Sequence, residues 1–342
     1  TPSKASAKLK TEMQLFQAYT EIINYTLGYE APLISDFVKD IQDGVILSRY
    51  LEVETGKTIQ GIIKVPINAA DKEHNLNLVI AAIKAESIKV QTTASEILKG
   101  EHKHILTLMF YLMYRFRLND VPVRIVDFGK WIKFVLNITN PLFDLKQELS
   151  NGILFAKLLN YYKPNCITSK DISKDKVKTI ETCLKIAKEQ LDIPPLLNPA
   201  QMGTGQLDDN AMVLYLSFFI PKEKKFGSHD MKVAEKIFLG RRDRAKKVRR
   251  NRRSALFEEL EKIKHICEQN NDTVVADKVN KIITNTDNMT EGLEMVEVDS
   301  DVFAEPKNDM ILQDLKIYKE KVEKLMIDAV GLMKEDTDRK SV

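Results

Sequence analysis

Apolar residues recur at spacings of three and four along most of the chain, and no long alternation of β-branched residues interrupts them, so the pattern predicts an almost wholly α-helical protein. Leu15, Tyr19, Ile22 and Ile23 line one helix face, and Leu27-Gly28 closes that helix. Asp36 to Asp40 leads into a helix carrying Val45, Leu47, Tyr50 and Leu51 that stops near Gly56, and loops around Gly61 and Pro66 precede a helix from Lys72 to Ala85. A very apolar helix follows from Glu101 to Leu118, and Asn119-Asp120-Val121-Pro122 reads as a short, stiff linker. The order then starts again with Phe128 to Leu136, Asp144 to Tyr162, Lys176 to Gln190 and Asp208 to Ile220. Asp43-Gly44-Val45-Ile46-Leu47 and Asn151-Gly152-Ile153-Leu154-Phe155 mark the same point of the two copies, 108 residues apart. A repeat of that length is a whole domain, since solenoid units run only about 20 to 50 residues. The glycines serve a sharp entry turn or close helix packing. The proline-rich stretch Ile193 to Pro199 reads as an ordered loop over a core.

Beyond Lys222 the pattern changes. Val233, Ile237 and Phe238 predict a short amphipathic helix, a basic run follows, and Leu256, Leu260, Ile263 and Cys267 continue at alternating four and three. Residues 285–306 hold seven acidic side chains and no basic one, the composition of a flexible linker. Ile311, Leu315, Tyr318, Val322, Leu325, Ala329 and Leu332 then form a heptad seam, which needs a second helix to cover it.

Composition adds three constraints. With 342 residues, 44% hydrophobic and 30% charged, the chain has material for two to three globular domains, and its longest apolar helix is broken by Tyr111, Tyr114 and Arg115, short of a membrane span. Three scattered cysteines, Cys166, Cys183 and Cys267, fit buried small hydrophobes in a reducing, cytoplasmic setting. The net charge of +3 is uneven: Arg241 to Arg253 carries nine Arg or Lys and one Asp, which leaves the remainder net acidic.

Longer strings then carry a resemblance. DGVILSRYLE at 43–52, NLNLVIAAIKAESIKV at 75–90 and HILTLMFYLMYRF at 104–116 resemble a type 1 calponin-homology domain. VDFGKWIKFVL at 126–136, SNGILFAKLLNYYKPNCI at 150–167 and LDIPPLLNPAQMGTGQLDDNAMVLYLSFF at 191–219 resemble its type 2 partner. The implied organisation is all-α: a flexible lead over 1–11, calponin-homology domains over 12–119 and 120–225, a basic helical segment and helix pair over 226–284, an acidic linker over 285–307 and a heptad helix over 308–335. The order resembles the actin-binding region of filamin, α-actinin, spectrin and cortexillin, which implies F-actin as partner and a cytoskeletal location. Matching the family's filament contacts residue by residue points to Gln17, Tyr19, Thr20 and Asn24 on the first helix, Leu106, Met109, Phe110 and Met113 on the apolar helix, and Val123, Arg124, Asp127 and Lys130 at the start of the second copy. The chain departs from the family at Ile22, where the first helix usually has tryptophan, and at Thr107 and Phe110, which replace a glycine and a tryptophan. The helix over 104–116 is too apolar to bury one stripe only, so the expected arrangement is a closed pair in which the second copy partly masks it.

The basic residues Arg241, Arg242, Arg244, Lys246, Lys247, Arg249, Arg250, Arg252 and Arg253 have several readings: a solvated face, a site for acidic phospholipid head groups or an acidic filament, or a nuclear import signal. Nucleic acid is disfavoured because no aromatic residues are interleaved with the arginines. Self-association through the heptad helix would join two heads and bundle filaments. A membrane-linked scaffold and a microtubule binder are the alternatives from other classes. Catalysis, a metal centre and a cofactor have no support: the five histidines lack partners at ligand spacing, and Gly203-Thr204-Gly205 has no following Walker lysine. Asp208 and Asp209 start a helix, where carboxylates suit the positive end of the dipole.

Overall fold

The computed structural model describes residues 4–29, 33–222 and 232–269, together with Asp277 and Asn280. The chain divides into two compact units, residues 1–259 and 260–342. The acidic segment over 285–307 and the heptad segment over 308–335 lie outside the described residues.

Among the described residues every regular element is helical. The first copy comprises α1 (Lys4–Thr26), α2 (Phe37–Asp40), α3 (Val45–Thr55), α4 (Ala69–Ala85), α5 (Ala94–Leu98) and α6 (His102–Phe116). The second comprises α7 (Ile125–Val135), α8 (Leu145–Leu149), α9 (Ile153–Tyr162), α10 (Lys176–Leu191), α11 (Pro199–Gly203) and α12 (Asp209–Leu216). In each copy the long helices pack around one apolar core, α1 against α3 and α6 in the first, and α7 against α12 and α9 against α10 in the second. None of the described helices is long and apolar enough to cross a membrane.

The repeated glycine works the same way twice. Asp43 Oδ1 accepts the Val45 N–H at 2.9 Å and Asn151 Oδ1 accepts the Ile153 N–H at 2.8 Å, so the side chain before each glycine caps the helix after it. Gly44 and Gly152 then turn the chain at φ +76° and +77°, a left-handed conformation open to glycine. A Cβ on Gly44 would stand 2.9 Å from Asn75 Cβ, and one on Gly152 would stand 2.8 Å from Thr179 Cγ2. Both needs read from the sequence, a sharp turn and a close approach, therefore fall on one residue.

Four boundaries differ from expectation. Residues 4–11 are helical and belong to α1, not to a lead. Asp144 to Tyr162 is two helices, because the left-handed Gly152 interrupts it. The proline-rich loop buries Ile193, Leu196 and Leu197, yet Pro199 opens α11, since a first helical position has no use for a backbone N–H. Beyond the second copy, the short amphipathic helix and the basic run are one helix, α13 (Lys232–Gln269), of 38 residues.

The two copies meet through α1 and α12. Gln14 on α1 donates from Nε2 to the Gln206 carbonyl at 3.1 Å and accepts the Asp208 N–H on Oε1 at 2.7 Å. Tyr25 donates its hydroxyl to Asp192 Oδ2 at 2.7 Å and meets the Phe218 ring edge-on, 5.5 Å between centroids. Arg117, just past α6, is buried with its guanidinium 3.2 Å above the same Phe218 ring and its Nε donating to Ser217 Oγ at 2.8 Å. The second copy therefore closes on α1 and on the end of α6, not along α6. That corrects the expected masking, and the reason is visible on α1: Gln14 and Tyr25 on its second face hydrogen-bond across the joint, and Glu21, paired with Tyr29 of its own domain, faces the Lys188 charge there.

Candidate functional site

Each helix of the expected filament surface has to bury one stripe, so the available side chains are those left over. On α6, Ile105, Leu108, Met109, Leu112, Met113 and Phe116 form the buried stripe at three and four spacing. Met109 and Met113, two of the expected contacts, are core residues at 0% and 2% exposure. Phe110 and Tyr111 are exposed at 44% and 38%, with Leu106 and Tyr114 half-buried beside them. The Phe110 ring stacks on Tyr114, four residues on, with centroids 6.1 Å apart, and meets Tyr111 edge-on at 5.7 Å. Tyr114 donates its hydroxyl to the Asp120 carbonyl at 2.7 Å, which fixes the patch against the linker.

On α1, Tyr19 is buried against Phe37, and burial with the nearby Asp208 charge pushes its hydroxyl far up from the ordinary range. Asn24 is buried as well, its amide donating to the Ile34 carbonyl and its Oδ1 accepting the Ile34 N–H at 2.9 Å, which ties down the chain leading to α2. These two expected contacts thus serve the first domain's interior. Thr20 is half-buried, and Gln17 is exposed at the rim of a cleft shared with Gln14, Leu196, Leu197, Asn198 and Leu207.

On α7 the expected residues divide again. Arg124 and Lys130 are exposed, Val123 is half-buried, and Asp127 folds back to accept the Arg124 N–H at 2.9 Å as a cap on the helix start. Val126 and Phe134, at 46% and 49% exposure, stand one turn either side of Lys130 and extend its face. Along with Tyr111 and Tyr114, Phe134 was absent from the residues expected, although the spacing 126, 130, 134 is the signal that would find it.

The basic run has two faces. Arg242, Lys246, Lys247, Arg249 and Arg250 are exposed, whereas Arg241, Arg244 and Arg252 are half-buried and turned toward the first domain; the Arg253 side chain lies outside the described residues. Arg252 donates to the Val53 carbonyl at 3.1 Å and Asn251 to the Thr55 carbonyl at 2.9 Å, so α13 supplies donors to the last turn of α3, whose carbonyls have no helical partner. Arg244 donates to Asn119 Oδ1 at 2.6 Å and lies 5.3 Å from the Phe116 ring. Burial raises the Glu54 carboxyl above the usual carboxylate range, opposed by the Arg241, Arg244 and Arg117 charges around it.

One further cluster emerged that the sequence spacing did not announce. His104 Nδ1 lies 3.3 Å from Glu96 Oε1 and its Nε2 3.5 Å from Glu101 Oε2, a group of three ligand-type atoms that α5 and α6 bring together. Glu96 also accepts the Thr93 N–H and hydroxyl as the cap of α5, which lowers its carboxyl below the usual range and accounts for the residue without a metal.

Comparison with known proteins matches residues 14–118 and 124–225 to the calponin homology (CH) domain. The erythrocytic spectrin beta chain of Mus musculus is 23% identical over 221 residues, covering 59% of this chain and 10% of that protein. Alpha-actinin-1 of Homo sapiens is 25% identical over 223 residues, covering 61% of this chain and 24% of that protein. The crystal structure of the actin-crosslinking core of Schizosaccharomyces pombe fimbrin aligns over 62% of this chain and 51% of its own, at 21% identity and a TM-score of 0.47. The chain thus spans no more than a quarter of the length of these two curated relatives.

Proposed function

Because the chain belongs to the calponin homology family, with two domains in tandem, we propose that the pair binds actin filaments noncovalently and acts in the cytoskeleton. The observation that carries this reading is the exposed Phe110 and Tyr111 pair, braced by the half-buried Tyr114, on the helix that the family resemblance assigns to the filament. Exposed aromatic rings fixed by one another lose little freedom on binding and make good anchors. Lys130, between Val126 and Phe134 on α7, adds a positive charge suited to an acidic filament surface. Cross-linking would require a second head, which the heptad segment over 308–335 supplies in this reading by self-association.

Co-sedimentation with F-actin tests the proposal. Phe110→Asp is expected to weaken binding by about tenfold or more, as for a central aromatic anchor. Leu142→Asp, at a loop position that is 89% exposed, should leave it unchanged. Equal sedimentation of wild type and Phe110→Asp would exclude α6 as the contact.

A second reading rests on the outer face of α13. Arg242, Lys246, Lys247, Arg249 and Arg250 are exposed, and each basic residue near an anionic membrane surface contributes about 1 kcal/mol. Flotation of the full chain with vesicles containing acidic phospholipid, at rising salt, tests it; binding that ignores salt would refute the electrostatic basis.

A further inference from the structure

Residues 232–259 carry a face that periodicity alone does not reveal. Ala234, Ile237, Arg241, Arg244, Val248 and Asn251 follow one another at three, four, three, four and three, the spacing of a single helical seam. Ala234 and Ile237 are buried in the same continuous core as the two domains. Val233 and Ala234 line a small cleft with Val123, Asp127, Phe128, Trp131 and Ile220, at the start of α7. Farther along, Arg244 reaches Asn119 and Phe116, and Asn251 and Arg252 reach the end of α3. One helix therefore spans the second domain, the linker and the first domain.

Two glycines make room for it. A Cβ on Gly240 would overlap the Asn119 side-chain amide, and a Cβ on Gly56 would stand 2.6 Å from the Val248 carbonyl oxygen of α13. A glycine in mid-helix weakens the helix relative to alanine, so Gly240 suits the docked helix and not a free one.

We propose that α13 is an intramolecular strap, docked along this seam across both domains, that covers the α7 end of the filament surface and lifts when a filament binds there. The inference rests on the actin reading above and names its regulation. Val123 and Asp127, expected at the filament contact, share their cleft with Val233 and Ala234, so helix and filament compete for the same edge. The strap is also poised to leave. Arg117, Arg241 and Arg244 surround a single carboxylate, Glu54, and a terminal nitrogen of Arg241 and of Arg244 is buried without a hydrogen-bond partner.

The chain's single tryptophan reports on docking independently of actin, since Trp131 is buried in the cleft that α13 closes. In the full chain, Gly240→Ala should lift the strap while favouring the helix itself: Trp131 emission shifts to the red, acrylamide quenches it more, and F-actin affinity rises on the order of fivefold or more. Arg241→Met removes one crowded charge but keeps the apolar stem, and should move quenching and affinity the opposite way. Ala245→Leu, on the exposed side of the same helix, should change neither. Unaltered quenching in Gly240→Ala, or shifts of the same sign in both variants, would overturn the strap. Altered quenching with unaltered filament binding would overturn its gating role. If no form sediments with filaments, the actin reading fails and takes the gating with it, while the Trp131 shift still decides whether the helix docks.

Discussion

Replacing Gln14 by alanine isolates the joint between the two domains. The side chain is buried and holds two backbone groups of the second domain, the Gln206 carbonyl and the Asp208 N–H, and Asp208 is also the residue whose carboxylate caps α12. Truncation leaves both groups without their partner, and an abandoned buried hydrogen-bonding group costs about 1–3 kcal/mol. The adjoining cleft admits water once the amide is gone, which puts the pair near the lower end, about 2 kcal/mol in total. Such a change shifts a closed-to-open equilibrium about thirtyfold, enough to take a pair that is closed about 99 times in 100 to roughly three in four.

Hydrogen exchange on the full chain reads this directly. Protection of the Asp208 amide should fall by about the same factor, and co-sedimentation with F-actin should rise because the α1 edge becomes available. The first domain's own amides, such as those of α4, should keep their protection, since Gln14 makes its two bonds across the joint and not within its own domain. Unchanged protection at Asp208 would refute the claim that the α1–α12 contact is what holds the pair closed. A loss of protection throughout the first domain would show that Gln14 supports its own domain's fold instead.

Gly152→Ala should lower the thermal midpoint of the second domain, because the new Cβ meets Thr179 and the left-handed turn is strained for any other residue, together about 2 kcal/mol or more by calorimetry. Cys183 should resist alkylation at pH 9 where Cys166 reacts, as burial pushes its thiol up to about 12 while Cys166 is only half-buried. The linked stability has a definite sign: the folded state holds the thiol proton more tightly, so the contribution is intact below the ordinary value near 9 and is lost as pH rises toward 12, a decline that Cys183→Ala should reduce in denaturant titrations.

The repeat, the helical class and the paired Asp-Gly and Asn-Gly turns were legible because each is written in local spacing. Asp208 starting α12 was legible for the same reason, since capping depends on residues two and three positions away. What escaped was set in part by contacts distant in sequence. Tyr19, Asn24, Met109 and Met113 sit at positions matched to filament contacts; the apolar spacing already placed Tyr19 on the inward stripe of α1, and the same spacing on α6 carries Met109 and Met113, whereas the burial of Asn24 depends on its bonds to Ile34, which nothing in α1 alone records. The inner face of α13 escaped because arginines occupy two seam positions, 241 and 244, and disguise an apolar register as a uniform run of charge.

The polar residues of this face have a physical rationale in what they meet: Arg244 reaches Asn119 and Phe116, and Asn251 and Arg252 reach the end of α3. The end of α3 presents carbonyls without helical partners and the negative pole of its dipole, so the residues docking there have to be donors, and long stems let arginine cover apolar surface on the way. An all-leucine seam would leave those carbonyls unsatisfied. Asn251 and Arg252 satisfy the carbonyls, whereas Arg241 crowds Arg117, which itself is committed to Phe218 and Ser217 at the joint between the domains. The crowding raises the free energy of the docked helix and of the closed pair at one place. Lifting α13 removes the Arg241 guanidinium from the neighbourhood of Arg117 and strengthens its hold on the second domain, whereas opening the pair relieves the crowding on α13. The two covers over the filament surface are therefore expected to open in alternation more readily than together, and a Gln14→Ala, Gly240→Ala double variant should gain less affinity than the product of the single gains.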